Sequence, residues 1–234
     1  MKIGILTCVY KRPQISALFL LQIERLRKTY GDLFLPIAVV STPEDEALFQ
    51  KHNVETHMYA NSPLGAKFQY GLYQLRDRVD AVMLMGSDDL IDNTMIDKLL
   101  KEEEELVWPI GLYITNTVGN KKGEVRLFDW FYKNYSSVGR LVKKSLLDRL
   151  DWRLWNGTEL RAIDHSSHHR LLEGNPTLKM VNMMPESAIL DIKSDVNINS
   201  YKRFSLGGKI TNADFVFSKF SDLEKERLEL LCQQ

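Results

Sequence analysis

The chain has 234 residues, of which 44% are hydrophobic and 26% are charged, an ordinary globular composition that predicts one large domain. Lysine plus arginine number 31 and aspartate plus glutamate also number 31, so the formal net charge is zero. This balance excludes the broad positive field of a protein that holds nucleic acid mainly by its phosphates, while a local basic groove stays compatible with it.

The first hundred residues alternate short aliphatic runs with amphipathic segments of helical period. The aliphatic runs predict four strands, at residues 2–9, 34–40, 54–59 and 80–85. The amphipathic segments predict four helices, at residues 14–30, 43–51, 66–78 and 94–106. Thr42 before Pro43 marks a helix start, because a capping hydroxyl precedes a proline at the first helical position. This alternation predicts βαβ units and a parallel sheet.

After about residue 107 the pattern becomes irregular and predicts a mixed lobe. Residues 110–115 and 124–128 flank a glycine-containing turn and predict a β-hairpin. Further helices are predicted at residues 143–150 and 159–172, and further strands at residues 180–184 and 187–192. Ser221 and Glu224 form a capping box for a last helix that ends near Cys232.

Cysteine content and apolar run lengths predict the compartment. Two cysteines, Cys8 and Cys232, are too few for a disulfide framework or a zinc ribbon, so we expect a reducing, cytoplasmic environment. The most apolar stretch, residues 15–23, is far shorter than the roughly 20 residues that cross a bilayer, so we expect no membrane span. The N-terminus lacks the cleavage site of a signal peptide.

Polar side chains follow three of the predicted strands, where ligands of open α/β sheets bind. They are Thr7, Tyr10, Lys11 and Arg12 after the first strand, Ser41 and Thr42 after the second, and Ser87, Asp88 and Asp89 after the fourth. Two adjacent carboxylates repel each other unless a cation or donors lie nearby, and a few oxygen ligands suit Mg²⁺ or Mn²⁺. The alternative is a polar turn that caps the next helix. No Walker or Gly-x-Gly-x-x-Gly motif follows the first strand, which argues against P-loop NTPases and Rossmann dehydrogenases.

Three segments together resemble one family. They are Thr-Cys-Val-Tyr-Lys-Arg-Pro at residues 7–13, Asn-Ser-Pro-Leu-Gly-Ala-Lys at 61–67 and Leu-Met-Gly-Ser-Asp-Asp at 84–89. In order and spacing they resemble GT-A-fold glycosyltransferases of the family 2 type, well over residues 1–115 and loosely beyond. The resemblance implies a Rossmann-like, mostly parallel sheet flanked by helices. It also implies that residues 1–115 form the donor half and residues 116–234 the acceptor half of one domain.

The resemblance implies a metal-dependent donor site. The donor is a nucleotide sugar, here expected to be a UDP-sugar, and Mn²⁺ or Mg²⁺ holds its diphosphate. Asp88 is the expected metal ligand, and Asp89 is either a second ligand or a helix cap. Gly86 stands where the family has its first aspartate. The remaining donor-binding residues that we expect are Thr7, Tyr10, Arg12, Ser41, Lys67, Ser87 and Lys193.

Within that set, Thr7 and Tyr10 are expected to line the nucleobase pocket and Ser41 to lie near the base or ribose. Glu44 and Asp45 are candidates for the uracil edge, with a helix cap as the alternative for both. Lys193 lies in a polar run, residues 191–199, that resembles a loop closing over donor diphosphate, or is a solvated surface loop.

The resemblance also implies an acceptor side in the second half. Asp164 is the expected general base, because an aspartate or glutamate at this place in inverting members deprotonates the acceptor hydroxyl. The alternative is an exposed aspartate paired with Arg161 or His168. His165, His168 and His169 lie near one helix face, as hydrogen-bonded histidines or as contacts to metal or acceptor. Aromatic residues between 130 and 135 line the acceptor site, pack in the core or join an oligomer interface.

The function predicted on this basis is inverting glycosyl transfer from a nucleotide sugar to an acceptor hydroxyl. The acceptor is a glycan, a lipid-linked sugar or a hydroxymethylated pyrimidine in DNA, as in some bacteriophage enzymes. A non-catalytic nucleotide-sugar binding module is a further alternative, because Gly86 replaces a carboxylate of the family.

Overall fold

The structure is a computed structural model that describes residues 1–129, 138–160, 162–195, 201–204 and 207–233. The strands in these ranges are β1 (Ile3–Cys8), β2 (Phe34–Val40), β3 (Glu55–Met58), β4 (Ala81–Leu84), β5 (Asp89–Ile91), β6 (Leu106–Ile110), β7 (Leu112–Asn116), β8 (Val125–Phe128), β9 (Arg140–Lys143), β10 (Leu178–Asn182), β11 (Ile189–Lys193) and β12 (Lys209–Thr211). The helices are α1 (Pro13–Tyr30), α2 (Pro43–Lys51), α3 (Leu64–Leu75), α4 (Asn93–Leu100), α5 (Lys144–Arg149), α6 (Ile163–Glu173), α7 (Tyr201–Phe204), α8 (Ala213–Phe217) and α9 (Asp222–Gln233).

Two sheets organise these elements. The central sheet has seven strands in the order β10-β6-β9-β4-β1-β2-β3. The β1 strand pairs in parallel with β2 and β4, and β2 pairs in parallel with β3, so the predicted parallel sheet is confirmed. The β9 strand lies antiparallel between β4 and β6. A second sheet has the order β12-β8-β7-β11-β5, and its antiparallel β7–β8 pair is the predicted hairpin.

The central sheet is covered on both faces, and successive residues of β1 serve opposite faces as the strand period requires. Ile3 and Ile5 join the apolar cluster that includes residues of α1, α2, α4 and α9, whereas Leu6 and Cys8 join the cluster that includes residues of α3, α5 and α6. This two-sided burial explains why β1 reads as a continuous aliphatic run rather than as an alternating one. Among the described residues, no helix has the length and apolar character needed to cross a membrane.

Two predicted helix boundaries differ from the structure by four residues or more, for local reasons. The helix predicted to reach residue 106 ends at Leu100, and β6 already begins at Leu106. Four consecutive glutamates, residues 102–105, intervene, and negative charge is unfavourable at a helix C-terminus. The helix predicted from residue 159 begins only at Ile163, after Ala162, whose φ is 54°.

One predicted strand is divided into two. The run predicted at residues 110–115 is interrupted by Gly111, whose φ is 97°. This left-handed backbone is open to glycine at little cost. The chain therefore leaves the central sheet at Ile110 and enters the second sheet at Leu112.

The two helix caps predicted from the sequence, at Thr42 and at Ser221 with Glu224, are confirmed. The hydroxyl of Thr42 accepts a hydrogen bond from the Asp45 amide at 3.2 Å, at the start of α2. At the start of α9, the Glu224 carboxylate accepts from the Ser221 amide at 2.8 Å, and the Ser221 hydroxyl accepts from the Glu224 amide at 3.4 Å. These caps fix where the chain turns from loop to helix.

Candidate donor site at the sheet edge

Arg12 joins the ends of β1 and β4. It immediately precedes α1, which begins with Pro13. One guanidinium nitrogen, Nη1, donates to Asp88 Oδ2 at 2.9 Å, and Nη2 donates to Ser87 Oγ at 2.8 Å. The Arg12 and Asp88 side chains are each only 15% exposed. Three residues singled out from the sequence are thus assembled into one hydrogen-bonded group.

Asp89 lies in β5 rather than in a turn, and its carboxylate folds back over the preceding residues. Its Oδ2 accepts a hydrogen bond from the Gly86 amide at 2.5 Å. The buried Gln22 side chain fixes β5, because it donates to the Asp89 carbonyl at 3.2 Å and accepts from the Ile91 amide at 2.6 Å. The helix-cap interpretation of Asp89 is wrong, because Asp92 caps α4 by accepting from the Met95 amide.

Gly86 explains how two neighbouring carboxylates fit beneath the end of β4. A Cβ atom at this position would lie 2.6 Å from Asp88 Oδ1 and 2.7 Å from Asp89 Oδ2. Both distances are shorter than real Cβ contacts, so a larger residue would displace the carboxylates. Glycine at position 86 is therefore coupled to the placement of the Asp88 and Asp89 carboxylates.

The β11 strand brings a second pair of charges to the same place. It runs antiparallel to β5, with Asp191 opposite Asp89, and the Ile192 amide donates to the Asp88 carbonyl at 2.9 Å. Lys193 Nζ lies 2.5 Å from Asp191 Oδ2, and both side chains are almost buried. Asp191 was not among the predicted site residues. Its position two residues before Lys193, on the same face of a strand, is the signal that points to it.

The electrostatics of this group are dominated by burial and by mutual charge. Burial raises the pKa of Asp88, but the charges of Arg12 and Lys193 outweigh it and hold that pKa below its usual range. Burial, followed by the charges of Asp88 and Asp191, raises the pKa of Asp89 well above its usual range. Burial likewise raises the pKa of Asp191 to about 6, against the opposing charge of Lys193. Three carboxyl groups, those of Asp88, Asp89 and Asp191, therefore share this site with only two cationic side chains among the described residues, those of Arg12 and Lys193.

The predicted nucleobase side lies where β1 and β2 end. Thr7 lies in β1 and is 1% exposed, and Ser41 follows β2. The hydroxyl oxygens of both are buried and have no hydrogen-bond partner among the described residues. Tyr10 is 40% exposed, with the Lys11 ammonium 5.3 Å from its ring centroid.

Asp45 connects the two loops on this side. Its Oδ2 accepts hydrogen bonds from the Lys11 amide at 3.0 Å and from the Thr42 hydroxyl at 2.9 Å. The Asp45 side chain is 3% exposed, so both hydrogen bonds are made in the protein interior. Its role in this structure is to tie the first turn of α2 to the loop after β1.

Lys67, a predicted donor-binding residue, is buried rather than exposed at the sheet edge. It is 1% exposed, and its Nζ donates to the Val9 carbonyl at 2.6 Å and to Asn61 Oδ1 at 3.3 Å. Burial lowers the pKa of its ammonium. The side chain supports the loop after β1 from within and links it to the segment before α3.

Asp164 lies in the first turn of α6 and is half-buried. Burial lowers the pKa of Arg140 to about 10, and the charge of Asp164 opposes this. The same charge adds to the causes that raise the pKa of Asp191. Asp164 therefore lies within electrostatic reach of the carboxylate group at the sheet edge.

One alternative partner of Asp164 is His168, whose surroundings favour the neutral form of its ring. The His168 ring packs against Trp108 at 4.5 Å between centroids, and the Arg140 guanidinium lies 4.8 Å from the Trp108 ring. Burial, followed by the charge of Arg140, lowers the pKa of His168 to about 4. A neutral imidazole offers no charge to Asp164. The other proposed partner, Arg161, lies outside the described residues.

Some predictions cannot be placed. The aromatic residues Trp130, Phe131, Tyr132 and Tyr135 lie outside the described residues, as do residues 196–200 of the expected closing loop. In the part of the chain that is described, no three His, Cys, Asp or Glu side chains form a group arranged to hold a metal ion. That includes the cluster of His165, His168 and His169, in which the Nε2 atoms of His165 and His169 lie 3.1 Å apart.

The comparisons with known proteins concern the fold. The sequence matches no protein-family model and no curated protein. Among solved structures, the chain is similar to S. aureus TarS 1-349, with a TM-score of 0.50 and 14% identity over 99% of this chain and 69% of that one. It is also similar to CMP:2-keto-3-deoxy-manno-octonic acid synthetase complexed with CTP, with a TM-score of 0.49 and 10% identity over 88% of this chain and 96% of that one. The mostly parallel central sheet flanked by helices, together with the likeness to TarS, gives this chain a Rossmann-like α/β fold of the GT-A type.

Proposed function

We propose that the protein is a glycosyltransferase that takes its sugar from a nucleotide sugar, with a UDP-sugar as the expected donor. The observation that carries this proposal is the joining of Arg12, Ser87, Asp88, Asp191 and Lys193 at the carboxyl edge of the central sheet. This edge is where open α/β sheets bind their ligands. Buried cations beside carboxylates are the components that a metal–diphosphate complex needs.

Asp88 and Asp89 would hold the divalent cation, Mn²⁺ or Mg²⁺. Two observations fit this assignment: Gly86 leaves room for both carboxylates, and Oδ1 of the nearby Asp191 is buried with no hydrogen-bond partner in the described chain. Few protein ligands suffice for such a cation, because diphosphate oxygens and water complete its shell. When bound, it supplies positive charge against the departing diphosphate. Arg12 and Lys193 add fixed positive charge from two different elements.

The nucleoside would lie against the ends of β1 and β2. Thr7 and Ser41 bring buried hydroxyls to this side, and Tyr10 brings an exposed ring on which a base can stack. Lys67 and Asp45 act one layer behind, where they hold the loop after β1 in place. In this proposal residues 1–115 form most of the donor side, with Lys193 reaching it from the second half.

Asp164 would accept the proton of the attacking acceptor hydroxyl. In this proposal the Asp164 carboxylate, at the start of α6 and within electrostatic reach of Asp191, would lie on the side from which the acceptor approaches the anomeric carbon. Attack from that side, opposite to the leaving diphosphate, inverts the anomeric configuration.

The experiment that tests this function measures UDP binding by calorimetry and UDP-sugar turnover, each with and without Mn²⁺. We expect UDP binding that Mn²⁺ strengthens and slow hydrolysis of at least one UDP-sugar in the absence of acceptor. UDP binding without turnover across a panel of donors and acceptors would instead identify a non-catalytic binding module. Absence of binding to any nucleotide would refute the proposal.

A further inference from the structure

A cleft of about 860 Å³ lies between α3 and α6. None of the donor-site residues lines it. Its head is formed by His165, which directly follows Asp164, and by Ala66, which directly precedes Lys67. It extends along both helices as far as Tyr73 and Glu173. Its volume is in the range of pockets that bury small ligands.

One wall of the cleft is aromatic. The rings of Tyr59 and Tyr70 are stacked, with centroids 4.8 Å apart and an interplanar angle of 26°. Tyr73 follows Tyr70 at a spacing of three residues, which places both on one face of α3, and it is 38% exposed. Flat, partly exposed rings that also carry hydroxyls are suited to stacking against the apolar face of a sugar ring.

The opposite wall is polar and carries both signs of charge. His165 and His169 lie one turn apart on α6. Arg170 forms an ion pair with Glu173 and donates to the Arg153 carbonyl at 3.1 Å. Because carboxylates and guanidinium groups alternate along this wall, it offers hydrogen bonds to a neutral polar ligand and no uniform field for a polyanion.

The floor between the walls is held rigidly by one buried amide. Gln69 donates to the Trp152 carbonyl at 2.6 Å and accepts from the Leu154 and Trp155 amides at 2.9 and 3.1 Å. The Trp155 indole then donates to the Ile163 carbonyl at 3.0 Å, which ties the floor to the start of α6. The cleft is therefore formed before a ligand arrives, which reduces the ordering cost of binding.

We propose that this cleft binds a neutral oligosaccharide acceptor, with its sugar rings on Tyr70 and Tyr73 and its reactive end towards Asp164. This inference rests on the proposed function, since it gives the acceptor class of the same enzyme. The mixed charge of the wall disfavours a nucleic-acid acceptor, and its polarity disfavours a lipid tail. The attacking hydroxyl loses its proton to Asp164 as its oxygen bonds to the anomeric carbon, and the diphosphate leaves with the electrons of the broken bond.

The test is equilibrium binding to an array of neutral oligosaccharides built from glucose, galactose, mannose and N-acetylglucosamine, with a short single-stranded DNA alongside. We expect the wild-type protein to bind members of the array and Tyr70→Ala to bind them at least about tenfold more weakly, since a stacking contact is lost. The matched control is Phe215→Ala, which removes an exposed ring outside the cleft and is expected to bind as the wild type does. Tyr73→Ala, at a more exposed position, repeats the test if Tyr70→Ala does not fold.

Three results would overturn this proposal: no binding to the array by the wild type, equal binding by all variants, or retention of the DNA instead of the oligosaccharides. Calorimetry with UDP on the wild type separates this failure from that of the proposed function. UDP binding without oligosaccharide binding would refute only the acceptor proposal and leave the proposed function standing. Oligosaccharide binding that depends on Tyr70, without UDP binding, would refute the glycosyltransferase function and support only a carbohydrate-binding cleft.

Discussion

The Arg12 guanidinium lies 2.9 Å from the Asp88 carboxylate, although 76 residues separate them in the chain. The contact spans the parallel β1–β4 pair, whose carboxyl ends lie side by side. It places a fixed positive charge beside the residue proposed to hold the metal. Under the proposed function, Arg12 and a divalent cation would thus act on the same carboxylate, and the diphosphate would meet both.

Replacing Asp88 with asparagine tests the metal assignment with little change in shape. We expect Asp88→Asn to lose the Mn²⁺ enhancement of UDP binding and to slow transfer at least about a hundredfold, because the leaving charge is no longer neutralised. The matched control is Asp32→Asn, at an exposed position after α1, which we expect to behave as the wild type does. Unchanged metal dependence in Asp88→Asn would refute the assignment.

The two-nitrogen geometry of the Arg12 guanidinium is expected to contribute to UDP binding in addition to its charge. Arg12→Gln removes the cation and is expected to weaken UDP binding by about tenfold or more. Arg12→Lys keeps the charge but cannot bridge Asp88 and Ser87 together, so its affinity is expected to lie between those of the wild type and Arg12→Gln. Calorimetry with UDP measures both variants. Equal affinity in all three proteins would exclude Arg12 from the donor site.

Gly86→Ala is predicted to displace both carboxylates, because the new Cβ would lie within 2.7 Å of each. We expect a loss of about 1–3 kcal/mol in unfolding free energy together with loss of Mn²⁺-dependent UDP binding. Gly31→Ala is the control. Its backbone, with φ of 58° and ψ of −130°, makes alanine costly by about 1–3 kcal/mol, but no atom beyond its chain neighbours lies within 4 Å of the new Cβ. Urea unfolding and calorimetry on both variants separate a stability effect from a site effect.

Asp164→Asn is predicted to separate donor binding from transfer. UDP affinity is expected to stay within about twofold of the wild type, while transfer falls at least about a hundredfold because the hydroxyl proton has no acceptor. Asp32→Asn, at an exposed position after α1, is again the control for a changed carboxylate outside the site. If Asp164→Asn transfers at the wild-type rate, another residue is the base.

His168 is predicted to make the fold sensitive to acid. Its pKa falls from the usual 6.5 to about 4 in the folded state, mainly through burial. Between these values the unfolded chain binds a proton that the folded chain does not, so stability decreases as the pH is lowered through this window. We expect urea midpoints at about pH 7.5 and about pH 5 to differ less in His168→Gln than in the wild type. An equal difference would show that this histidine is not buried in its neutral form.

The sequence by itself determined the elements that depend on local interactions. The first four strands, the hairpin and the two helix caps follow from aliphatic runs, a glycine turn and the pairing of a hydroxyl or carboxylate with the first free amides of a helix. The polar residues after β1 and β4 were also predictable as candidates, because ligands of open α/β sheets bind where the strands end. Those signals are carried by residues a few positions apart.

Only the tertiary structure decided which distant side chains share a charge environment. Asp191 joins Asp89 through an antiparallel pairing of β11 with β5, and no local pattern specifies that register. Lys67 carries an ammonium group that could bind phosphate. However, α3 packs on the sheet, and the ammonium is buried against the Val9 carbonyl in the loop after β1. The cleft likewise needs α3 and α6 side by side. Burial and pairing across long sequence separations set these positions, whereas local chemistry set the elements that carry them.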